Sequence, residues 1–257
     1  MRLSISAAIL LVWFLACSRD RVSFVDYRRL ALFSIFGVSI NQLCYLRGLS
    51  LTTAINATIL IGMIPVFTFM IALVLGRETA NVWKAAGVLL AFAGVFVLAG
   101  PGSVSFDDKY SEGNMLLLTG AFAYSIYLVL ARDLLSKYHP LTVVTWVFTF
   151  GSLAMLPFTW NDIGKTNFAS LSLSTWLSIA FLILFASILA YFLNALALKT
   201  ASSTLVAVYI CLQPIFVAVL AVWVLGEVLT WTIVLSGVLI FSGLVLSATQ
   251  HPTLVEG

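Results

Sequence analysis

Tyr45-Leu-Arg-Gly-Leu-Ser-Leu-Thr-Thr-Ala54 returns in related form as Asn194-Ala-Leu-Ala-Leu-Lys-Thr-Ala-Ser-Ser203, 149 positions further along the chain. Three more residues recur at the same offset: Pro65, Glu78 and Gly94 are matched by Pro214, Glu227 and Gly243. Self-similarity at a fixed offset is the sign of a duplicated structural unit. The chain is therefore predicted to consist of two related halves.

The composition indicates that most of the chain lies in lipid. Of its 257 residues, 62% are hydrophobic and only 9% are charged, and the mean hydropathy is +1.11. A soluble domain of this length could not hide so much apolar surface, because a water-facing surface must be partly polar. The net charge of +3 is spread out without a basic tract, so we expect a lipid bilayer as partner and no nucleic acid.

Nine apolar stretches approach the length of about 20 residues that a membrane-spanning helix needs, although the first of them is short. They lie at 3–17, 29–49, 52–75, 81–99, 113–134, 140–159, 174–197, 201–225 and 230–248. Turn residues and charges cluster between Gly100 and Gly113 and mark a boundary. It separates a first repeat over 1–100 from a second repeat over 109–248.

Lysine and arginine predict the orientation, because they concentrate in cytoplasmic loops. We place the loop over 19–29, which is the richest in these residues, in the cytoplasm and alternate sides from there. The cytoplasmic side then holds Arg19, Arg21, Arg28, Arg29, Arg77, Lys84, Arg132, Lys137 and Lys199, and the external side holds Arg2, Arg47, Lys109 and Lys165. The N-terminus is then external and the C-terminus cytoplasmic.

Glu78 falls on the cytoplasmic side in this arrangement, whereas its repeat partner Glu227 falls outside. The two halves are therefore predicted to be inverted, which requires an odd number of helices in each. The second half has five and the first has four, because the helix over 113–134 has no counterpart after Met1. Either the true start lies upstream of Met1 or the chain is a shortened form. A lipoprotein-type signal peptide ending at Cys17 is disfavoured, because its first residues carry a single charge.

The residues around the repeat carry a family resemblance. Leu49-Ser-Leu-Thr-Thr-Ala-Ile-Asn-Ala-Thr58, followed by Ile64-Pro65, Leu75-Gly-Arg-Glu78 and Gly94-Val95, resembles the first EamA repeat of the drug/metabolite transporter superfamily. Ala197-Leu-Lys-Thr-Ala-Ser-Ser203, followed by Leu212-Gln-Pro214, Leu225-Gly-Glu227 and Gly243, resembles the second. The resemblance implies an all-α membrane protein with ten helices in two inverted repeats, of which this chain lacks the first helix and keeps four plus five.

The resemblance also implies a function. Members of this family export or import small metabolites, such as amino acids, by alternating access at a central cavity. We therefore predict a multi-pass exporter of small organic metabolites in the cytoplasmic membrane. The alternative is a truncated protein that is inactive in transport or serves as a scaffold, since a missing first helix would leave one cavity wall open to lipid. A homodimer is compatible with either hypothesis.

Polar side chains within the predicted spans are the candidates for the substrate cavity, because a polar group at mid-depth in lipid is costly. Several share a helix face through a spacing of three or four residues. Such faces suit a zwitterionic or amphipathic molecule better than a bare ion, although each residue could equally join two helices by a hydrogen bond. The candidates are Asn41, Tyr45, Asn56, Tyr124, Tyr127, Trp146, Tyr191, Asn194, Tyr209 and Gln213.

Prolines, acids and glycines complete the set of residues with predicted roles. Pro65 and Pro214 interrupt predicted helices and would act either as hinges or as static kinks. Glu78 and Glu227 are the acids of the repeat signature, and we expect a structural role for them at helix ends that water can reach. Close helix packing is predicted at Gly87, Gly94, Gly237 and Gly243.

Enzyme chemistry is poorly supported by the sequence. His139 and His251 stand alone, and no H-E-x-x-H or G-x-S-x-G motif or cluster of metal ligands occurs. Cys17, Cys44 and Cys211 form no CxxC pair and are typical of packing residues. We therefore predict a non-enzymatic protein without cofactor or metal, whose partners are the bilayer and a small-molecule metabolite.

Overall fold

A computed structural model describes residues 2–17, 20–100, 108–165, 172–225 and 230–248, and the regular structure in them is entirely helical. The unbroken helices are α1 Arg2–Cys17, α2 Phe24–Leu51, α4 Val82–Ala99, α5 Asp108–Leu135, α6 Pro140–Lys165, α7 Leu173–Thr200 and α9 Trp231–Ala248. Two helices are each in two parts: α3 Ala54–Ile61 and Ile64–Val74, and α8 Ser203–Ile210 and Leu212–Leu225. The predicted all-α fold is confirmed.

Eight of these described helices, α2 to α9, are long and apolar enough to cross a membrane, whereas α1 has 16 residues. Many large apolar side chains are exposed, such as Trp223 and Val74, which are 89% and 84% exposed. Such exposure is expected where the solvent is lipid. One predicted boundary is wrong: α5 begins at Asp108, so residues 108–113 are helical and not part of a loop.

The repeat is present in the helix boundaries as well as in the residues. The ends of α4, at 82 and 99, stand 149 positions before those of α9, at 231 and 248. The capping residues correspond too: the side chains of Ser23 and Ser172, 149 positions apart, each accept a hydrogen bond from the amide three residues later. Thr53 and Ser202 form a second such pair. Because a cap fixes where a helix begins, duplicated caps explain duplicated boundaries.

The interruptions of α3 and α8 lie at equivalent positions. The residues that cap the first part of each helix, Gly62 and Cys211, are 149 positions apart. Pro65 and Pro214 each follow three residues later. Proline has no N–H and its ring clashes with the preceding turn, which favours an interruption just before it. Whether either proline also acts as a hinge stays a prediction.

The chain forms two compact units, and each combines segments of both halves. Unit 1 comprises Met1–Asn41 and Leu130–Thr200. In it, α6 packs against α1 and the first part of α2. Gly151 on α6 leaves room for Val38, whose Cβ would lie 2.7 Å from a Cβ added at the glycine. The division into repeats over 1–100 and 109–248 is a different one and stays a prediction.

Unit 2 comprises Gln42–Val129 and Ala201–Gly257, and in it α4 packs along α9. The two helices are antiparallel, because Gly87 approaches Gly243 whereas Gly94, further along α4, approaches the earlier residue Ser236. Equivalent helices that pack antiparallel are expected from halves of opposite orientation.

Glycine allows the close approach of α4 and α9. A Cβ added at Gly243 would lie 2.5 Å from the Gly87 carbonyl oxygen, and one added at Gly94 would lie 2.9 Å from that of Ser236. Backbone at these distances excludes any side chain, so the packing role predicted for these three glycines agrees with the structure. Gly237 has no neighbour within 4 Å of an added Cβ, so the packing role predicted for it is wrong.

Candidate substrate cavity

Unit 2 contains a cavity of about 910 Å³. Its walls come from α3 and α8 around their interruptions, from the end of α4 and from the start of α9. Ile61 and Gly62 line it at one interruption, and Ile210 and Cys211 line it at the other. Sites for small organic molecules have volumes of roughly 300–1,000 Å³. The cavity therefore has the size of a metabolite site, and both interrupted helices contribute to it.

The interruptions leave backbone carbonyls without their regular partners beside the cavity. In an unbroken helix the carbonyl of Ile61 would accept from residue 65, and that of Ile210 from residue 214. Both positions are proline, which has no N–H to donate. Two carbonyl oxygens of cavity-lining residues thus lack an α-helical donor. Broken helices of this kind form the substrate and ion sites of many secondary transporters.

Five polar side chains line the cavity: Tyr45, Thr58, Gln213, Thr230 and Thr232. Thr58 donates to the Ala54 carbonyl at 2.8 Å, and the hydroxyls of Thr230 and Thr232 lie 2.7 Å apart. The side chains of Tyr45 and Gln213 make no hydrogen bond with any residue that the structure describes. Their hydroxyl and amide groups are therefore the side-chain groups most open to a ligand.

Of the ten predicted cavity residues, Tyr45 and Gln213 line this cavity, as does Pro214. Asn56 is instead fully buried, and its amide donates to Thr52 Oγ1 at 3.1 Å and to Asn114 Oδ1 at 3.3 Å. This network joins α3 to α5. Other predicted residues of unit 2 that are not among the lining residues are Tyr124, Tyr127 and Tyr209, of which Tyr127 is 2% exposed and Tyr209 51%.

Four of the predicted cavity residues belong to unit 1, namely Asn41, Trp146, Tyr191 and Asn194. The Tyr191 ring packs edge-on against Phe148 with centroids 4.7 Å apart, and its hydroxyl donates to the Gly37 carbonyl at 3.5 Å. Trp146 packs against Tyr27 with centroids 4.8 Å apart. A role of these four residues in substrate binding stays a prediction.

The side chain of Glu78 is buried, so the expectation that water reaches its carboxylate is wrong. Its side chain is 4% exposed and forms an ion pair with Lys84. Its other carboxylate oxygen accepts the Thr204 N–H at 3.1 Å. Sequence reasoning missed both partners, because neither a spacing of six residues to Lys84 nor one of 126 residues to Thr204 matches a helical period. Glu227 lies outside the described residues.

Two more carboxylates that the sequence did not single out lie in unit 1. Asp20 accepts the His139 N–H at 2.8 Å and the Thr142 hydroxyl at 2.7 Å. Asp26 accepts the Tyr138 hydroxyl at 2.8 Å. The hydrogen bonds from the His139 backbone and the Thr142 side chain hold the pKa of Asp20 below its ordinary value. The Asp20 contacts join the segment before α2 to the start of α6, and the Asp26 contact joins the first turn of α2 to the residues before α6.

The described part of the chain contains no set of metal ligands. No group of three or more His, Cys, Asp or Glu side chains there could hold a metal ion. The absence of a metal and of a cofactor stays an expectation.

Comparisons with known proteins identify the family. Residues 1–100 and 111–249 match the EamA-like transporter family. An uncharacterized transporter of Archaeoglobus fulgidus is 31% identical over 97% of this chain and 86% of its own length. The uncharacterized transporter YyaM of Bacillus subtilis is 23% identical over 95% and 83%, respectively. A protein of known crystal structure shares the fold, with a TM-score of 0.79 at 19% identity over 96% of this chain and 85% of that one. The chain is a multi-pass membrane protein and belongs to the EamA-like transporter family.

Proposed function

We propose that this protein moves a small organic metabolite, such as an amino acid, out of the cell by alternating access. The observation that carries the proposal is the cavity of about 910 Å³ bounded by both interrupted helices. In alternating access, two halves rock around a site that such interruptions help to form. Membership of a transporter family supports solute movement as such, while the solute and the direction are part of the proposal.

The chemistry of the cavity supports a zwitterionic or neutral amphipathic substrate. The carbonyl oxygens of Ile61 and Ile210 can accept hydrogen bonds from an ammonium group, and the Gln213 amide can donate to a carboxylate. The described lining residues include no charged side chain and many apolar ones. A bare divalent cation is usually held by carboxylate oxygens, and the described lining residues include none.

The proposed setting is the cytoplasmic membrane, with the C-terminus in the cytoplasm. The excess of lysine and arginine in alternate loops supports this orientation. The halves proposed to rock are the two repeats, over 1–100 and 109–248. The proposed partners are the bilayer and the metabolite, and assembly as a homodimer is compatible with the mechanism.

Transport by purified protein in liposomes, measured against a panel of radiolabelled amino acids, tests the proposal. Tyr45→Phe and Gln213→Ala should each raise KM about 3- to 10-fold, because each removes one hydrogen bond to the substrate. Tyr209→Phe is the matched control, since this tyrosine is 51% exposed and does not line the cavity.

Equal effects of Tyr45→Phe and Tyr209→Phe would contradict the site. Absence of flux for the whole panel would contradict the proposed substrate class and would be the result expected of an inactive or scaffolding protein.

A further inference from the structure

The carboxylate of Glu78 joins three segments of unit 2. Glu78 follows α3, pairs with Lys84 at the start of α4 at 2.5 Å and accepts the Thr204 N–H at the start of α8 at 3.1 Å. The side chains of Glu78 and Lys84 are 4% and 10% exposed. Removing one partner of a buried ion pair leaves the other charge uncompensated, which is strongly unfavourable. This contact therefore fixes the start of α8.

Glu78 adds to the cap that α8 provides for itself. The Ser202 hydroxyl accepts the Leu205 N–H, whereas the Thr204 N–H is accepted by Glu78. The first part of α8, Ser203–Ile210, has eight residues and ends at the cavity. A helix of eight residues is about 12 Å long and moves as one rigid segment. A shift of the start of α8 therefore displaces the cavity wall at Ile210 and Cys211.

The first part of α8 packs against the second part of α3, and this interface leaves two hydroxyls without partners. Thr204 Oγ1 and Thr68 Oγ1, one on each segment, are buried and make no hydrogen bond with any described residue. Buried polar groups without partners disfavour the arrangement that buries them. These two hydroxyls therefore favour a rearrangement of α8 that would give them hydrogen-bond partners. The contact of Glu78 with the start of α8 opposes this rearrangement.

We infer that Glu78 is a positioning residue for transport, whose carboxylate holds the start of α8 and so sets the cavity wall at Cys211. The inference rests on the proposed function. Glu78 does not line the cavity, so its loss acts on the substrate only through the position of this wall. Glu112 offers a matched control, because its ion pair with Arg47 is exposed at 67% and 72% and caps no helix.

The native thiol of Cys211 serves as the reporter, because Cys211 lines the cavity and is 1% exposed. The full-length protein with Cys17→Ala and Cys44→Ala is placed in liposomes, and its labelling by N-ethylmaleimide and its transport kinetics are measured. Glu78→Ala should label at least fivefold faster and lower Vmax/KM at least fivefold. Glu78→Gln keeps an acceptor for the Thr204 N–H and should show less than half of each change. Glu112→Gln should behave as the parent.

Labelling of Glu78→Ala at the parental rate or slower would overturn the inference, and so would an equal change in Glu112→Gln. If Glu78→Ala does not fold, Glu78→Gln decides, since it loses the charge that pairs with Lys84: labelling at least twofold faster supports the inference and the parental rate overturns it. Variants that differ in labelling in a protein that moves no solute would overturn the transport proposal alone and would leave Glu78 assigned to α8.

Discussion

Asp20 shows how one side chain can join distant parts of the chain. Its carboxylate accepts hydrogen bonds from His139 and Thr142, which lie 119 and 122 residues away. These contacts, with the nearby positive charge of Lys199, lower the pKa of Asp20 from its ordinary value of 3.8. The ionised carboxylate is therefore the form that the folded protein favours, and the start of α6, where a helix dipole attracts negative charge, adds to this preference.

The lowered pKa makes the contribution of Asp20 depend on pH. The contribution is complete above the unfolded value of 3.8 and is lost as the pH falls through the lower folded value. Asp20→Asn should therefore lower the melting temperature at pH 7 by no more than about 2 °C, because solvent screens this partly exposed carboxylate. Thermal unfolding in detergent from pH 7 to pH 3 measures the difference, which should shrink towards the acid end. A constant difference across this range would contradict the assignment.

The environment of a residue was predicted well where residue type alone determines it. It was predicted poorly where a contact with a residue far away in the sequence determines it. Tyr45 and Gln213 were chosen because polar groups in lipid tend to face a cavity, and both line one. The same reasoning also selected Asn56, whose amide instead donates to Asn114 on another helix. A polar residue type alone does not show whether its side chain faces a cavity or a neighbouring helix. Glu78 was placed at a water-exposed end, because its burial depends on Thr204, 126 residues away.

The helices were predicted more completely than the site, because the length of an apolar stretch and its capping residues are both read from neighbouring residues. The boundaries of α4 and α9 follow from apolar stretches of 18 residues and from Asn81 ahead of α4, whose side chain accepts the Trp83 N–H. The helical start of α5 at Asp108 could not be predicted, because residues 108–113 are polar and carry no apolar periodicity. The contact between α4 and α9 likewise needs knowledge of which glycines face a partner.

Gly243 and Gly237 provide a matched test of the α4–α9 contact. A Cβ at Gly243 would lie 2.5 Å from the Gly87 oxygen and 2.6 Å from the Ala91 nitrogen, so Gly243→Ala must separate two helices. We expect a loss of about 1–3 kcal/mol, the usual cost of overpacking. Gly237→Ala meets nothing within 4 Å and should be neutral or slightly stabilising, because alanine favours a helix. Size-exclusion chromatography after a heating series measures both, and equal stability of the two variants would argue against the contact.

At the scale of the whole molecule, duplication and inversion are separate claims. The offset of 149 in residues, helix ends and caps establishes duplication. The antiparallel packing of α4 and α9 within unit 2 supports inversion. If the two halves were parallel, these equivalent helices would cross the membrane in the same direction. The count of basic residues predicts the sides of the membrane independently of that packing.

Inversion requires equivalent loops to lie on opposite sides of the membrane. Thr79 and Val228 are 149 positions apart, and the charge count predicts that the first is cytoplasmic and the second external. In a protein without its native cysteines, Val228→Cys should react with an impermeant maleimide in intact cells, whereas Thr79→Cys should react only after the cells are permeabilised. Lys109→Cys, at an exposed position on α5 that is predicted to be external, is the positive control. Reaction of Thr79→Cys and Val228→Cys under the same condition would mean that the halves are parallel, and alternating access by two inverted repeats would then have to be abandoned for this chain.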